Sequence, residues 1–413
     1  MNPTILNHFN IYLKKRENIM FDFGLEFYQG KRVLVTGHTG FKGTWMCAML
    51  LQVGAQVTGY ALEPPTEPSI YVLSGIDAKI HSVTGDIRDL GHLQKVFDDV
   101  QPEIVIHMAA QPIVRESYKN PVYTYEVNVM GTVNVLECVR THPCVRSFVN
   151  VTTDKVYLNR EWEWGYRENE ELNGYDPYSN SKSCSELVTS SYRNSFFKKA
   201  VVCKERSQDA VGGKGCSAME QDISCEECDD KKEKHMCLTA ISTARAGNVI
   251  GGGDFAVDRI IPDCIRAAIN GQDIIVRNPY SIRPYQHVLE PIAVYLMIAA
   301  KQYEDSAYEG SYNVGPDETD CYTTGELVTL FCDKWQQTTG QQITWENEYD
   351  GGPHEANFLK LDCSKLKKTF GWKPVWNVEK AMEMIVEWSV AWQDGKSVEQ
   401  IMEKQMREFL SVG

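Results

Sequence analysis

Arg32-Val33-Leu34-Val35-Thr36 runs straight into Gly37-His38-Thr39-Gly40-Phe41-Lys42-Gly43, and this junction decides the fold. Val33 to Thr36 are aliphatic or β-branched, as a strand buried on both faces requires. The glycines at spacing three permit a tight turn, and the amphipathic stretch from Gly43 to Val53 continues as a helix. A strand, a Gly-rich turn and a helix in that order bring backbone N–H groups and a positive helix end to one point. A pyrophosphate is held at such a point. A close helix–strand crossing also calls for glycine, so the strand–turn–helix context carries the reading, not the spacing alone.

Working outward, the same alternation repeats. Residues 56–61, 79–83, 104–108 and 147–151 read as strands, and 90–100 and 121–140 as helices, the second with Pro121 in its first turn. The fold class expected is α/β, a doubly wound parallel sheet forming a Rossmann domain, with a smaller C-terminal α/β domain. The first domain spans 21–247, and 1–20 reads as a disordered tail, with Met20 or an organellar presequence as readings of its start. From Asn248 the texture changes to helices at 258–270, 287–302, 323–338, 378–394 and 396–411, separated by Gly/Pro turns. Residues 248–413 therefore form the second domain, with some segments returning to the first.

Residues 198–237 interrupt the alternation with a polar stretch that reads as an inserted surface loop. Cys225, Cys228, His235 and Cys237 within it are donor types suited to zinc, but their spacing is irregular. A plain oxidisable loop is the reading adopted, and no metal is expected.

The 413 residues carry a net charge of -14, 43% hydrophobic and 24% charged residues, the balance of an ordinary globular chain. The acidic charge argues against a nucleic-acid partner or an anionic membrane surface. No apolar run reaches the ~20 residues of a membrane span. The 13 cysteines form no compact disulfide framework, and Cys47, Cys138, Cys184 and Cys264 read as small apolar residues in a reducing compartment.

Two further stretches carry chemistry. Thr152-Thr153-Asp154-Lys155-Val156-Tyr157 closes one strand, and Tyr178-Ser179-Asn180-Ser181-Lys182 opens a later helix. Tyr178 and Lys182 stand one helical turn apart and share a face. An ammonium beside a phenol favours phenolate, and is expected to bring Tyr178 down from roughly 10 toward the range of a working base. Thr153 is placed to bond the same substrate hydroxyl. The set suits an alcohol that loses its proton while its carbon gives up hydride. Since the chain holds 20 Tyr, a Tyr-x-x-x-Lys arises by chance, and the joint arrangement is what counts.

An open α/β sheet binds its ligand at the carboxyl ends of its strands. Asp86-Ile87 is expected at the adenine edge of a dinucleotide, and Ala109-Ala110-Gln111 under its ribose and nicotinamide. A helix cap at Asp86 and plain packing at Ala109-Ala110 are the alternatives. No Arg follows Tyr60-Ala61-Leu62-Glu63-Pro64 to take a 2′-phosphate, which favours NAD over NADP. Arg277-Asn278-Pro279 and Arg283-Pro284-Tyr285-Gln286-His287 offer guanidinium groups for phosphate and a Tyr able to stack on a base, or else a charged turn before a helix.

These motifs, with Ala109-Ala110-Gln111-Pro112, Asn128-Val129-Met130-Gly131-Thr132, Arg245-Ala246-Gly247-Asn248-Val249-Ile250-Gly251-Gly252-Gly253-Asp254 and the run from Arg283 to Glu290, resemble the extended short-chain dehydrogenase/reductase family. The resemblance runs from about residue 28 to the C-terminus, the insert excepted. Within the family it is similar to nucleotide-sugar 4,6-dehydratases acting on CDP-sugars. It implies NAD as cofactor, held by Gly37, His38, Thr39, Gly40, Phe41, Lys42, Gly43, Asp86, Ile87, Ala109, Ala110, Gln111, Thr153, Tyr178 and Lys182. It implies Thr153, Asp154, Lys155, Tyr178 and Lys182 as catalytic residues. The residues implied to hold the substrate are Asn128, Arg245, Asn248, Arg277, Arg283, Tyr285 and His287.

The reaction implied takes CDP-D-glucose to CDP-4-dehydro-6-deoxy-D-glucose and water, by oxidation at C4, elimination across C5–C6 and hydride return to C6. Asp154 maps to the acid of the elimination. Lys155 is either a base, if its amine is neutral, or a cation that stabilises the enolate. The resemblance further implies a homodimer built partly through the helix of Tyr178, and the reducing compartment read from the cysteines makes the expected location cytoplasmic. A nucleotide-sugar 4-epimerase needs no Asp154-Lys155 doublet, and a non-catalytic nucleotide-sugar-binding subunit needs none of the set.

Overall fold

The computed structural model describes residues 23–197, 239–348 and 358–412. The expected tail at 1–20 and the insert at 198–237, with Cys225, Cys228, His235 and Cys237, lie outside them.

Seven parallel strands form the main sheet: β1 (Arg32–Thr36), β2 (Gln56–Ala61), β3 (His81–Thr84), β4 (Ile104–His107), β5 (Ser147–Thr153), β6 (Ala240–Ala246) and β7 (Ser311–Val314). Their order is β7-β6-β5-β4-β1-β2-β3. Val33, Leu34 and Val35 of β1 are fully buried, which is why the central strand tolerates no polar alternation. Helix α1 (Phe41–Gln52) leads to β2 on one side of β1, while β4 pairs on the other. The strand order reverses at this point, so a crevice opens above the carboxyl ends of β1 and β4.

Helix α2 (Leu90–Val100) crosses from β3 to β4. The stretch before β5 is one helix in the sequence pattern but three pieces in the structure: α3 (Pro121–Tyr125), a π turn at Glu126–Met130 and α4 (Gly131–Thr141). The π turn re-aims the backbone around Asn128, a local adjustment that periodicity does not reveal. Helix α5 (Pro177–Phe196) follows β5 and carries Tyr178 in its first turn.

Beyond β6 a second core gathers around α6 (Ile260–Ile269), α8 (Thr324–Thr339) and α9 (Val378–Gln393), with Ile261, Leu327, Phe331 and Ile385 inside it. Helix α7 (Leu289–Glu304) is instead buried against the main sheet, and α10 (Val398–Val412) packs on α1. The late segments α7, β7 and α10 thus return to the first core. Among the described residues, no helix is long and apolar enough to cross a membrane.

Candidate active site

The Gly-rich turn is closed by steric necessity. Gly37 has φ 79°, and a Cβ there would stand 2.7 Å from the Ala109 nitrogen. At Gly43 a Cβ would fall 2.1 Å from the Gly37 carbonyl oxygen. Only glycine lets the loop lie this close to the end of β4 and to the first turn of α1. Beneath it, Thr36 Oγ1 accepts from the Met108 and Ala109 N–H groups and meets His107 Nδ1 at 2.7 Å. His107 Nε2 continues to Thr132 at 3.1 Å, and Thr132 to Ser185 on α5 at 3.0 Å. This buried polar chain fixes the loop against the helix of Tyr178.

Thr153 ends β5 and caps the turn that holds Asp154 and Lys155. Its hydroxyl donates to Asp154 Oδ1 at 2.9 Å, and Lys155 Nζ reaches the same oxygen at 3.4 Å. Asp154 is fully buried, and its Oδ2 has no hydrogen-bond partner among the described residues. Asp176 caps α5 by accepting from the Ser179 N–H at 2.9 Å, and Pro177 takes the first helical position. That entry brings Tyr178 close enough to Thr153 for its hydroxyl to lower the phenol's pKa. Lys182 follows one turn later and donates to the Val151 carbonyl at 3.2 Å.

The electrostatics correct one expectation. The Tyr178 phenol is pushed up to about 12: burial is the largest cause, Asp154 adds to it, and the Thr153 hydroxyl and the Arg259 guanidinium pull it back. Lys182 does not bring it into working range, because its own ammonium is desolvated and held at about 8, with Glu186 opposing the fall. Lys42 is pushed down to about 7 by burial first, then by Lys182 and Arg259. Three cations therefore crowd the crevice, an arrangement that favours an anionic occupant.

The remaining expected residues divide. His38 is fully buried against Gly59, with Nε2 2.8 Å from Ser82 Oγ. Asp86 spends its carboxylate on Arg88, which holds it below its usual range; the two rim an open depression of about 540 Å³ with Glu126, Met130 and Asn134. Ile87 packs against Gly131. Asn248, at the end of β6, has φ 26° and a buried Nδ2 without a hydrogen-bond partner, so it is poised for an acceptor. Arg277 pairs with Asp258 at 2.9 Å and with Asp263 at 3.5 Å, and Arg283 donates to the Ile282 carbonyl at 2.9 Å.

Five others sit differently from the sequence reading. Gln111 folds its side chain back on Ile113 and Thr124, and Asn128 is spent on Gln111 and Ser181. Arg245 is 3% exposed and paired with Glu186. Tyr285 lies within the second core with its hydroxyl 3.0 Å from Thr324 Oγ1. His287 is fully buried between the rings of Trp45 and Trp376. Each of these side chains is already engaged in hydrogen bonding or packing within the protein. Sequence reasoning missed Arg259, held by Asp254 at 2.9 Å, and Glu186, whose position four residues after Lys182 was the available signal.

The chain is 44% identical to the CDP-glucose 4,6-dehydratase of Salmonella typhimurium over 386 residues, covering 93% of this chain and 98% of that one. It belongs to the extended short-chain dehydrogenase/reductase family. The family model described as GDP-mannose 4,6 dehydratase matches residues 34–212. Two solved members of this extended family share the fold. The dTDP-glucose 4,6-dehydratase of Bacillus anthracis, in complex with NAD, has a TM-score of 0.65 at 18% identity, covering 89% of this chain and 99% of that one. The UDP-glucose 4-epimerase of Thermus thermophilus, also with NAD, has a TM-score of 0.64 at 21% identity, covering 86% and 98%.

Proposed function

We propose that this chain is an NAD-dependent CDP-D-glucose 4,6-dehydratase. The observation that carries the reading is Asp154, a fully buried carboxylate with an unpaired oxygen, fixed by Thr153 beside Tyr178. A simple oxidation or epimerisation at C4 has no use for it. The 44% identity to a CDP-glucose 4,6-dehydratase supports the choice of CDP-D-glucose.

The residues fit NAD. The turn from Gly37 to Gly43 leaves room for a pyrophosphate at the start of α1, and the Lys42, Lys182 and Arg259 cations and the unpaired Asn248 Nδ2 favour anionic groups. NAD held there would supply the hydride acceptor for oxidation at sugar C4 and the hydride donor for reduction at C6. Tyr178 takes the proton of the 4-hydroxyl while Thr153 orients that oxygen. Burial holds the phenol high, and the Thr153 hydroxyl and the Arg259 guanidinium are what pull it back toward proton transfer.

The C4 ketone then acidifies C5. Asp154 delivers a proton to the departing 6-hydroxyl, so that water leaves. Its contact with Lys155 allows two proton arrangements. With the proton on Asp154, the neutral Lys155 amine is the base at C5. As an ion pair, the Asp154 carboxylate first takes the C5 proton while the Lys155 charge stabilises the enolate, and then gives that proton to the departing 6-hydroxyl.

We also infer a cytoplasmic homodimer. Val122, Tyr125 and Met130 on α3 and the π turn, with Leu187 on α5, expose an apolar face suited to a second copy. The cysteines among the described residues are free thiols, as in a reducing compartment. Incubation of the purified protein with CDP-, dTDP-, GDP- and UDP-glucose tests the function. A mass loss of one water from CDP-glucose, strongly preferred over the other three, is expected. Equal turnover of all four overturns the CDP assignment, and no dehydration of any overturns the dehydratase.

A further inference from the structure

One turn beyond Lys182, Glu186 is 2% exposed. Its carboxylate is well satisfied: Oε1 accepts from Thr152 Oγ1 at 2.5 Å, and Oε2 from Thr243 Oγ1 at 2.7 Å and Arg245 Nη2 at 2.9 Å. Thr152 directly precedes Thr153, so this bond ties the helix of Tyr178 to the strand of Thr153 one residue from the chemistry. Arg245 carries the linkage outward. Its Nη1 donates to the Tyr157 hydroxyl at 2.8 Å and to the Glu168 carbonyl at 3.0 Å, and Tyr157 donates to Asn313 Oδ1 on β7 at 2.6 Å.

A buried ion pair is a poor source of stability, since the cost of removing both charges from water offsets their attraction. Its place beside a desolvated lysine suggests another use. We propose that Glu186 is a positioning residue which, with Arg245, sets the stance of α5 against β5 and balances the charge of Lys182. This rests on the hydride-transfer reading above and deepens it.

The groups around Lys182 make the balance explicit. Its own helix contributes Glu186, β4 His107 and α1 Lys42, and Arg245 of β6 reaches it only through Glu186. His107 is fully buried, and desolvation holds it at about 3, so it is neutral. On the other side of α5, Tyr125 bonds Asn180 and Glu137 bonds Tyr192, with Glu137 also paired to Arg140. On α5 itself, Glu186 is therefore the anion that offsets the cations, and Arg245 tempers it.

Opposite shifts in the pH profile test this. The kcat of the parent is expected to fall at alkaline pH as Lys182 loses its proton. Glu186→Gln should move that fall to lower pH by about one unit, with little change in KM, because the ammonium loses its anion. Arg245→Gln should move it to higher pH, because the Glu186 carboxylate then acts unopposed. An equal loss at every pH in Glu186→Gln, or shifts of the same sign in both variants, overturns the proposal. Should Glu186→Gln fail to fold by circular dichroism, Arg245→Gln decides alone: an upward shift supports the proposal, and no shift or a downward one overturns it. A parent inactive on every nucleotide sugar overturns the hydride-transfer reading instead.

Discussion

Thr153 donates its hydroxyl to Asp154 Oδ1 at 2.9 Å, leaving the buried Oδ2 of the same carboxylate without a partner. A buried acceptor left unpaired costs about 1–3 kcal/mol. The Asp154→Asn variant should still reduce bound NAD, seen as absorbance of the reduced nicotinamide, but dehydrate about 10²–10⁴-fold more slowly. Tyr178→Phe should lose the absorbance change as well. Unimpaired dehydration by Asp154→Asn refutes the acid role.

Gly247 faces that unpaired oxygen, and a Cβ at 247 would stand 2.3 Å from it. Gly247→Ala must therefore displace the Asp154 side chain. The expected result is a folded protein that binds NAD normally by calorimetry, with dehydration falling by about the factor seen for loss of a general acid. Dehydration at the parent rate shows that the carboxylate tolerates displacement.

Lys155 separates its two roles by substitution. Arginine keeps the positive charge but cannot lose its proton. If the charge stabilises the enolate, Lys155→Arg retains a substantial part of the dehydration rate, whereas Lys155→Met loses it. Equal loss in both, measured as exchange of the C5 proton with deuterated solvent, identifies Lys155 as the base.

Glu290, at the start of α7, provides a pH prediction on stability. Burial pushes its carboxyl from 4.5 to about 8, although one oxygen accepts from the Val375 N–H at 2.8 Å and the Trp376 N–H at 2.6 Å. The folded value is raised, so the folded state keeps a proton that the unfolded chain releases above its lower value. Stability therefore declines as pH rises from about 4.5 to about 8, by at most ~1.4 kcal/mol per unit, and levels off beyond. Glu290→Gln cannot ionise, so its Tm should rise relative to the parent across that window. Parallel Tm curves for the two proteins exclude the effect.

The sheet was legible because its signals are local. Val33 to Val35 and Ile104 to Ile106 are buried on both faces, and each forms a continuous apolar run that period and propensity recognise. The catalytic stretches were legible for the same reason: Tyr178 and Lys182 are one turn apart, and Thr153 with Asp154 is adjacent. What failed to show in the sequence is set by distance along the chain. Arg245 is a residue the family resemblance implies for the substrate, and its pairing with Glu186 shows only when β5, β6 and α5 meet. His287 reads as polar until Trp45, more than two hundred residues earlier, closes over it. Likewise the Tyr178 phenol depends less on its helical neighbour than on the desolvation the surrounding fold imposes on it.

Helix α5 has 20 residues, a length of about 30 Å, and starts at the catalytic phenol. It ends by Phe197, and the described chain resumes at Thr239 just before β6, whose Ala240 is in register with Ser147 at the amino end of β5. The splice between these two points is rooted on the side of the sheet remote from the reaction. Evolution can lengthen the polypeptide there, and an experimenter can graft a reporter or affinity handle there, with both roots of the addition standing clear of the turnover machinery.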